Sequence, residues 1–135
     1  MLLEPSYKSL RKMEMIKAFF DSDVVISAHL SNSGAAMYLL RVIDLKNIST
    51  TFYISNESLK EIKRTCERLS VKYNEKITQR CVIENIKPPY TYKKYVKDAL
   101  DEHIVVATVA TASKFLVTYN QKHFNNHLLY NDFGI

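Results

Sequence analysis

Short apolar segments alternate along this chain with segments of helical periodicity, and this alternation constrains the fold most strongly. Residues 16–20 are apolar apart from Lys17 and are followed by an acid and a serine, as expected for a buried central strand. Residues 51–54 are β-branched or aromatic, and residues 115–118 form another short apolar segment, so both predict strands. Because strands that alternate with helices form a parallel sheet covered on both faces, the sequence predicts an α/β protein.

The helices are recognised by the spacing of their apolar residues. Residues 35–43 show helical spacing, and residues 57–69 carry one apolar stripe formed by Leu59, Ile62, Cys66 and Leu69. Ser55 or Asn56 can cap the second helix by accepting a hydrogen bond from a backbone N–H. These two segments therefore predict helices that face the core.

Four further segments complete the predicted order of elements. We expect a more polar helix over 71–83, a broadly apolar helix over 101–112 and the start of a final edge strand at 133–135. Residues 87–95 contain adjacent prolines, which exclude a regular helix or a central strand, so this segment is predicted to be a loop.

The composition fits one compact domain. The chain has 135 residues, of which 47% are hydrophobic, and it contains only 2 glycines and 3 prolines. A domain of this size buries enough apolar surface to fold without disulfides or structural metals. We predict an N-terminal tail over residues 1–12 and a single domain over residues 13–135. The net charge of +5 favours encounters with polyanions but equally fits an ordinary soluble protein.

Several classes of protein and of site lack support in the sequence. No apolar run approaches the roughly 20 residues of a membrane-spanning helix, and the first residues lack a signal-peptide core, so we expect a cytoplasmic protein. Glycine-rich phosphate loops of the dinucleotide or P-loop type are missing. Cys66 and Cys81 lack the short paired spacing of a zinc site. They are expected to be buried, reduced thiols, although a thermophile could bridge them.

Polar residues follow apolar segments at positions that a parallel sheet would bring together. Asp21 and Asn120 each come after a predicted strand, Asp101 opens a predicted helix, and Glu61 lies within another helix, at the border of the core. Ligands bind outside the carboxyl ends of parallel strands, where the strand order changes. Clustered carboxylates repel one another unless cations neutralise them, and oxygen ligands suit Mg²⁺ or Mn²⁺. The pattern predicts a metal-dependent hydrolase of phosphodiester bonds.

Four segments resemble motifs of the PIN-domain ribonucleases, in the order that the family has them. Residues 20–28, Phe-Asp-Ser-Asp-Val-Val-Ile-Ser-Ala, resemble the family's opening strand and turn, and residues 55–62 resemble its helix with an acidic residue. Residues 101–104 look like the segment with the third acid, and residues 117–120 like the strand-end motif. The four motifs extend over most of the chain from Ile16 to Phe124.

The resemblance implies a three-layer α/β/α sandwich with a mostly parallel sheet. It further implies a catalytic set of Asp21, Glu61, Asp101 and Asn120, in which the three acids bind Mg²⁺ or Mn²⁺ and Asn120 is a supporting ligand. RNA is the implied substrate. Many relatives are VapC-like toxins that pair with a small antitoxin protein, and many form homodimers, so both partners are expectations here.

Each site residue also has a structural interpretation. An acid such as Asp21 often caps a helix or forms a turn, Glu57 competes with Glu61 from one turn earlier, and Asn120 can cap a turn as readily as it can bind metal. The sequence also departs from the family at Asp23, where Asn is usual, and at Asn120 and His123, where many members carry acids. The alternative is therefore a catalytically inactive PIN-like module that binds RNA or protein.

Cations and aromatic residues alternate in the predicted loop over residues 87–95. Lys93, Lys94 and Tyr92 from this loop, together with Arg64 on the predicted helix over residues 57–69, are candidate RNA contacts, because such surfaces combine phosphate contacts with base stacking. An ordinary solvated loop explains the same residues equally well.

Overall fold

The computed structural model describes residues 16–45 and 49–135, so the predicted tail over residues 1–12 lies outside the described residues. The described part contains one parallel sheet with the strand order β3-β2-β1-β4. Its strands are β1 (Ile16–Phe20), β2 (Thr50–Ser55), β3 (Cys81–Glu84) and β4 (Phe115–Val117). The predicted strands over residues 16–20, 51–54 and 115–118 are confirmed.

Helices cover both faces of this sheet. Those in the described part are α1 (Ser22–Leu30), α2 (Ala35–Leu40), α3 (Asn56–Arg68), α4 (Glu75–Thr78), α5 (Glu102–Ala110) and α6 (Asn126–Phe133). Short 3₁₀ turns occur at Arg41–Asp44, Lys93–Tyr95, Ala99–Asp101 and Gln121–His123. The predicted α/β/α sandwich is confirmed. None of the described helices combines the length and apolar character needed to cross a membrane.

The central strands supply side chains to two separate cores, because successive residues of a strand point to opposite faces. Phe20 and Phe52 pack on one face with α1, α2 and α3, and their ring centroids are 4.7 Å apart. Phe19 and Tyr53 face the other side, where α5 and α6 pack. The apolar run of β1 is therefore explained by burial on both faces of the sheet.

Helix α3 begins as its sequence predicts. The Ser55 hydroxyl oxygen accepts a hydrogen bond from the backbone N–H of Ser58 at 3.0 Å and so caps the helix. Ile62 and Cys66 of the predicted stripe are fully buried, whereas Leu69, which lies beyond the last helical turn, is 46% exposed. Cys66 and Cys81 are buried and unbridged, as predicted, and burial raises the pKa of Cys81 to about 12.

Two predicted elements are wrong. The segment over residues 71–83 is not one helix, because only Glu75–Thr78 is α-helical and Cys81–Glu84 forms β3 by pairing with β2. The segment over residues 133–135 is not a strand, because Phe133 ends α6 and Gly134 adopts a left-handed conformation with φ of 71°. The strand Cys81–Glu84 forms because its backbone pairs with the distant strand β2, and the C-terminal residues are held by hydrogen bonds to the last turn of α6. In both places the local spacing of apolar residues was a poor guide.

Candidate active site

Asp21 lies where the order of the strands reverses. The strands β2 and β3 follow β1 in the chain and lie beyond one edge of β1, and β4 later pairs with the opposite edge of β1. Phe20 is paired with Val117, and the backbone N–H of Asp21 donates to the Val117 carbonyl oxygen at 2.9 Å. The carboxyl ends of β1 and β4 therefore form the crevice in which parallel sheets usually bind ligands.

The Asp21 side chain is fixed in this crevice and does not cap α1. It is 6% exposed, and although Asp21 occupies the N-cap position, its carboxylate accepts no capping hydrogen bond. Its Oδ2 accepts instead from the Thr118 hydroxyl at 2.9 Å, and Oδ1 lies 3.4 Å from the Ser22 hydroxyl. The carboxylate is thus oriented by β4 across the sheet.

Burial and neighbouring negative charge weaken the acidity of Asp21. Burial, which is the largest cause, and the charges of Asp23 and Glu61 together raise the pKa of Asp21 from 3.8 to about 7, although the Thr118 hydrogen bond opposes the shift. The side chain is therefore about half protonated near pH 7. A cation at this carboxylate would relieve both effects, so the electrostatics of the site suit a bound metal ion.

Asp23 holds the turn after β4 in place. Its Oδ2 accepts from the backbone N–H of Tyr119 at 3.1 Å and from the Asn120 amide at 3.0 Å. The other oxygen, Oδ1, is buried and has no hydrogen-bond partner among the residues that the structure describes. Burial raises the pKa of Asp23, and the backbone N–H of Tyr119 lowers it. Asp23 thus links α1 to the residues that follow β4.

Asn120 is held by this same arrangement. Its side chain makes no capping hydrogen bond in the following 3₁₀ turn, and its Nδ2 donates to Oδ2 of Asp23. Its backbone N–H donates to the Thr118 hydroxyl oxygen at 3.0 Å. Because Nδ2 is committed and an amide nitrogen does not bind hard cations, a metal contact would have to come from Oδ1.

Asp101 approaches the site from the start of α5. It occupies the N-cap position without a capping hydrogen bond, and its Oδ2 lies 3.3 Å from Nδ1 of His123. Burial raises the pKa of Asp101, and the positive charge of His123 lowers it. The adjacent Glu102 is buried and accepts from the Tyr92 backbone N–H at 2.7 Å. That structural role leaves Asp101 as the acid available to the site.

Glu61 is favoured over Glu57 as the acid contributed by α3. The charge of Glu61 is among the influences that raise the pKa of Asp21, after burial and Asp23, whereas Glu57 is not among them. Glu57 instead pairs with Lys60, with 3.5 Å between Oε1 and Nζ. His103 lies near both glutamates, whose charges raise its pKa while burial, the larger effect, lowers it.

The acids of the site lie farther apart than the ligands of one metal ion do, although their charges still interact. Within residues 16–45 and 49–135, no three His, Cys, Asp or Glu side chains are gathered closely enough to hold a metal ion. Charge interactions act over several more ångströms than a coordination bond of about 2.1 Å. The buried Oδ1 of Asp23 and the raised pKa of Asp21 nevertheless fit an oxygen-preferring cation.

The candidate RNA contacts fall into two groups. Arg64 on α3 and Lys93 and Lys94 in their 3₁₀ turn are exposed. Tyr92, by contrast, packs its ring against Tyr95 and Phe133 at centroid distances of 5.8 and 6.0 Å. Tyr92 therefore contributes mainly to the core on the face of the sheet where α5 and α6 pack.

Two site interactions had not been predicted. Asp23 and Asn120 are 97 residues apart in the chain, and nothing in their local sequence indicates that they pair. The contact between His123 and Asp101 likewise joins a 3₁₀ turn to the start of a helix. The local sequence gave one signal of the site, because Asp21 and Asp23 on either side of Ser22 both lie beside the end of β1.

A comparison with models of protein families matches residues 17–122 to the PIN domain. This range includes the candidate site residues Asp21, Glu61, Asp101 and Asn120. No curated protein and no solved structure gives a significant match. Proteins with a PIN domain are generally nucleases. The match covers most of the chain and agrees with the parallel sheet and its helices, and the chain therefore belongs to the PIN-domain family.

Proposed function

We propose that this protein is a metal-dependent endoribonuclease that hydrolyses phosphodiester bonds in RNA. Asp21, Glu61 and Asp101 are the proposed ligands of Mg²⁺ or Mn²⁺, and Asn120 is a supporting ligand. The observation that carries the proposal is the Asp21 carboxylate, buried at the reversal of strand order with its pKa raised to about 7. A buried carboxylate lacks the water that would stabilise its negative charge, and a bound cation can stabilise that charge instead.

The protein's own residues position the acids. When bound, the divalent ion supplies the acidity that turns water into a nucleophile and stabilises charge on phosphoryl oxygens. Thr118 orients the Asp21 carboxylate with its 2.9 Å hydrogen bond, and His123 orients Asp101. Asp23 fixes the turn that carries Asn120. The proposed ligand set would be complete with the side chains of Glu61 and Asp101 turned toward Asp21.

Basic side chains around the acids supply the proposed phosphate contacts. Lys93, Lys94 and Arg64 are exposed and can neutralise RNA phosphates, which predicts binding that weakens steeply with salt. Lys94 is partly held by Asp132, whose Oδ2 is 3.8 Å from its Nζ. Tyr92, with its packed ring, can offer an RNA base only the part of the ring that remains accessible.

The proposed biological setting is that of a toxin in a toxin–antitoxin pair, acting on RNA in the cytoplasm. A small antitoxin protein that covers the acids and a homodimer are the proposed protein partners. A short open reading frame next to the gene would support this narrower role, and a gene that stands alone would favour RNA processing.

A second candidate is an inactive PIN-like module that binds RNA or protein. The observation that favours it is the Asn120 amide, which stands where many relatives carry an acid and is bonded to Asp23. Such a module would bind RNA equally well with and without a divalent metal ion.

The two candidates are separated by cleavage of single-stranded and structured RNAs with Mn²⁺, Mg²⁺ or EDTA. We expect metal-dependent cleavage by the wild type that is lost in Asp101→Asn. Asp44→Asn is the matched control, because Asp44 is an exposed acid paired with Arg80 and should leave cleavage unchanged. Equal cleavage by Asp101→Asn would refute the ligand assignment, and RNA binding in EDTA without any cleavage would support the inactive module.

A further inference from the structure

Tyr119 presents an aromatic ring to solvent beside the acids. It directly follows β4, and its side chain is 58% exposed. The residues on either side of it contact the acid pair: the Thr118 hydroxyl bonds to Asp21 and the Asn120 amide bonds to Asp23. The ring therefore lies one residue from two groups of the proposed active site.

The backbone of Tyr119 is held in place independently of its ring. Its N–H donates to Oδ2 of Asp23 at 3.1 Å, so the bond is made by the main chain. An aromatic side chain on a fixed backbone loses little conformational freedom when it contacts a ligand. Substitutions of the ring also leave the hydrogen bond to Asp23 intact.

Other tyrosines near the site are engaged elsewhere. The Tyr95 ring is buried against Phe133 at 5.0 Å, and its hydroxyl donates to Asp132 at 2.7 Å. Tyr92 belongs to the same aromatic cluster. Tyr119 therefore has more ring surface available for a ligand than Tyr92 or Tyr95.

Basic residues lie close to Tyr119 along the chain and across a backbone hydrogen bond. Lys122 and His123 lie in the 3₁₀ turn that follows Asn120, and both are exposed. Lys97 adjoins them, because its backbone N–H donates to the His123 carbonyl oxygen at 2.9 Å. Proteins that bind single-stranded nucleic acids combine stacking rings with such cations, which follow the phosphate backbone.

We propose that Tyr119 stacks on an unpaired RNA base and thereby selects single-stranded segments for the neighbouring acids. The inference deepens the proposed ribonuclease function and rests on it for the identity of the substrate. A base in a duplex is stacked on its neighbours on both faces, so only an unpaired base can place a face against the ring. Lys97, Lys122 and His123 contact phosphates of the same strand.

The test is equilibrium binding in EDTA at low ionic strength, which separates base stacking from cleavage. The ligands are a short oligouridylate and a ribose-phosphate oligomer of equal length that lacks every base. The proteins are the wild type, Tyr119→Ala, Tyr119→Phe and the control Tyr38→Ala. Tyr38 is a suitable control because it lies on α2 and is 77% exposed. Equal urea midpoints of all four proteins verify the fold.

We expect Tyr119→Ala to bind oligouridylate at least about fivefold more weakly than the wild type, since stacking on one base typically contributes that much affinity or more. Tyr119→Phe and Tyr38→Ala should bind within about threefold of the wild type. All four proteins should bind the oligomer without bases equally, because it offers only phosphates.

Three results would overturn the inference: no measurable binding of oligouridylate by the wild type, unchanged binding by Tyr119→Ala, or an equal loss by Tyr119→Ala on both ligands. Each is independent of cleavage. A metal-dependent nuclease whose Tyr119→Ala variant binds normally would retain the proposed function and lose this inference. A protein that never cleaves RNA but needs the ring for binding would give the reverse outcome.

Discussion

Replacing Asp21 by asparagine removes a buried charge with little change in shape. The asparagine Oδ1 can still accept from the Thr118 hydroxyl, and its Nδ2 can donate to the Ser22 oxygen, which lies 3.4 Å from Oδ1 in the wild type. Both polar atoms of the new side chain therefore have partners. The substitution tests the energetic cost of the carboxylate itself.

The size of the effect follows from the shift in the Asp21 pKa. Burial and the neighbouring negative charges raise this pKa from 3.8 to about 7, so the folded protein binds the proton more tightly than the unfolded chain does. Folding stability therefore falls as the pH rises from about 4 to about 7 and is constant above that range. At about 1.4 kcal/mol per pKa unit, burying Asp21 costs about 4 kcal/mol at pH 8, where the folded carboxylate is ionised, and about 2 kcal/mol at pH 5, where it takes up a proton on folding.

Urea denaturation in EDTA at the two pH values measures this cost. We expect Asp21→Asn to be more stable than the wild type by about 4 kcal/mol at pH 8 and by about 2 kcal/mol at pH 5. Asp44→Asn, which changes an exposed acid, should shift stability by less than about 1 kcal/mol at either pH. An Asp21→Asn variant that is less stable than the wild type at pH 8, or equally stabilised at both pH values, would refute the reasoning.

Two further predictions concern the metal and the loop before α5. Mn²⁺ at 100 times its dissociation constant should stabilise the wild type by about 2.7 kcal/mol in thermal or urea unfolding. It should leave Asp21→Asn almost unchanged, and an equal gain in both proteins would place the ion elsewhere. Glu102→Ala should lower the free energy of unfolding by about 1–3 kcal/mol, because the Tyr92 N–H loses its acceptor at 2.7 Å. Glu102→Gln retains an acceptor oxygen and should cost less, so an equal loss in both variants would contradict this explanation.

The fold was predictable where one face or both faces of an element reach a core. Four of the five residues of β1 are apolar because both faces are covered, and the stripe through Ile62 and Cys66 marks the buried side of α3. The strand Cys81–Glu84 was not predictable in this way, because Val82 and Ile83 are exposed at the edge of the sheet. Its structure depends on pairing with β2, which no local pattern encodes.

Much the same division applies to the candidate site. The order of Asp21, Glu61, Asp101 and Asn120 could be recognised from the sequence, and so could the positions of Asp21, Asp101 and Asn120 near the ends of elements. The hydrogen bonds from Thr118 to Asp21 and from Asn120 to Asp23 could not, because each joins residues that are 97 positions apart. Such contacts appear only when the register between β1 and β4 is known.

The pairing of β1 with β4 also has a consequence for the timing of activity during synthesis. Asp21 emerges from the ribosome early, whereas Thr118, which orients it, emerges about a hundred residues later. A nascent chain that ends before β4 lacks both the partner strand of β1 and the turn held by Asp23. The acids are therefore brought to their final positions only when nearly the whole domain has been made, so an incomplete chain would lack the proposed nuclease site.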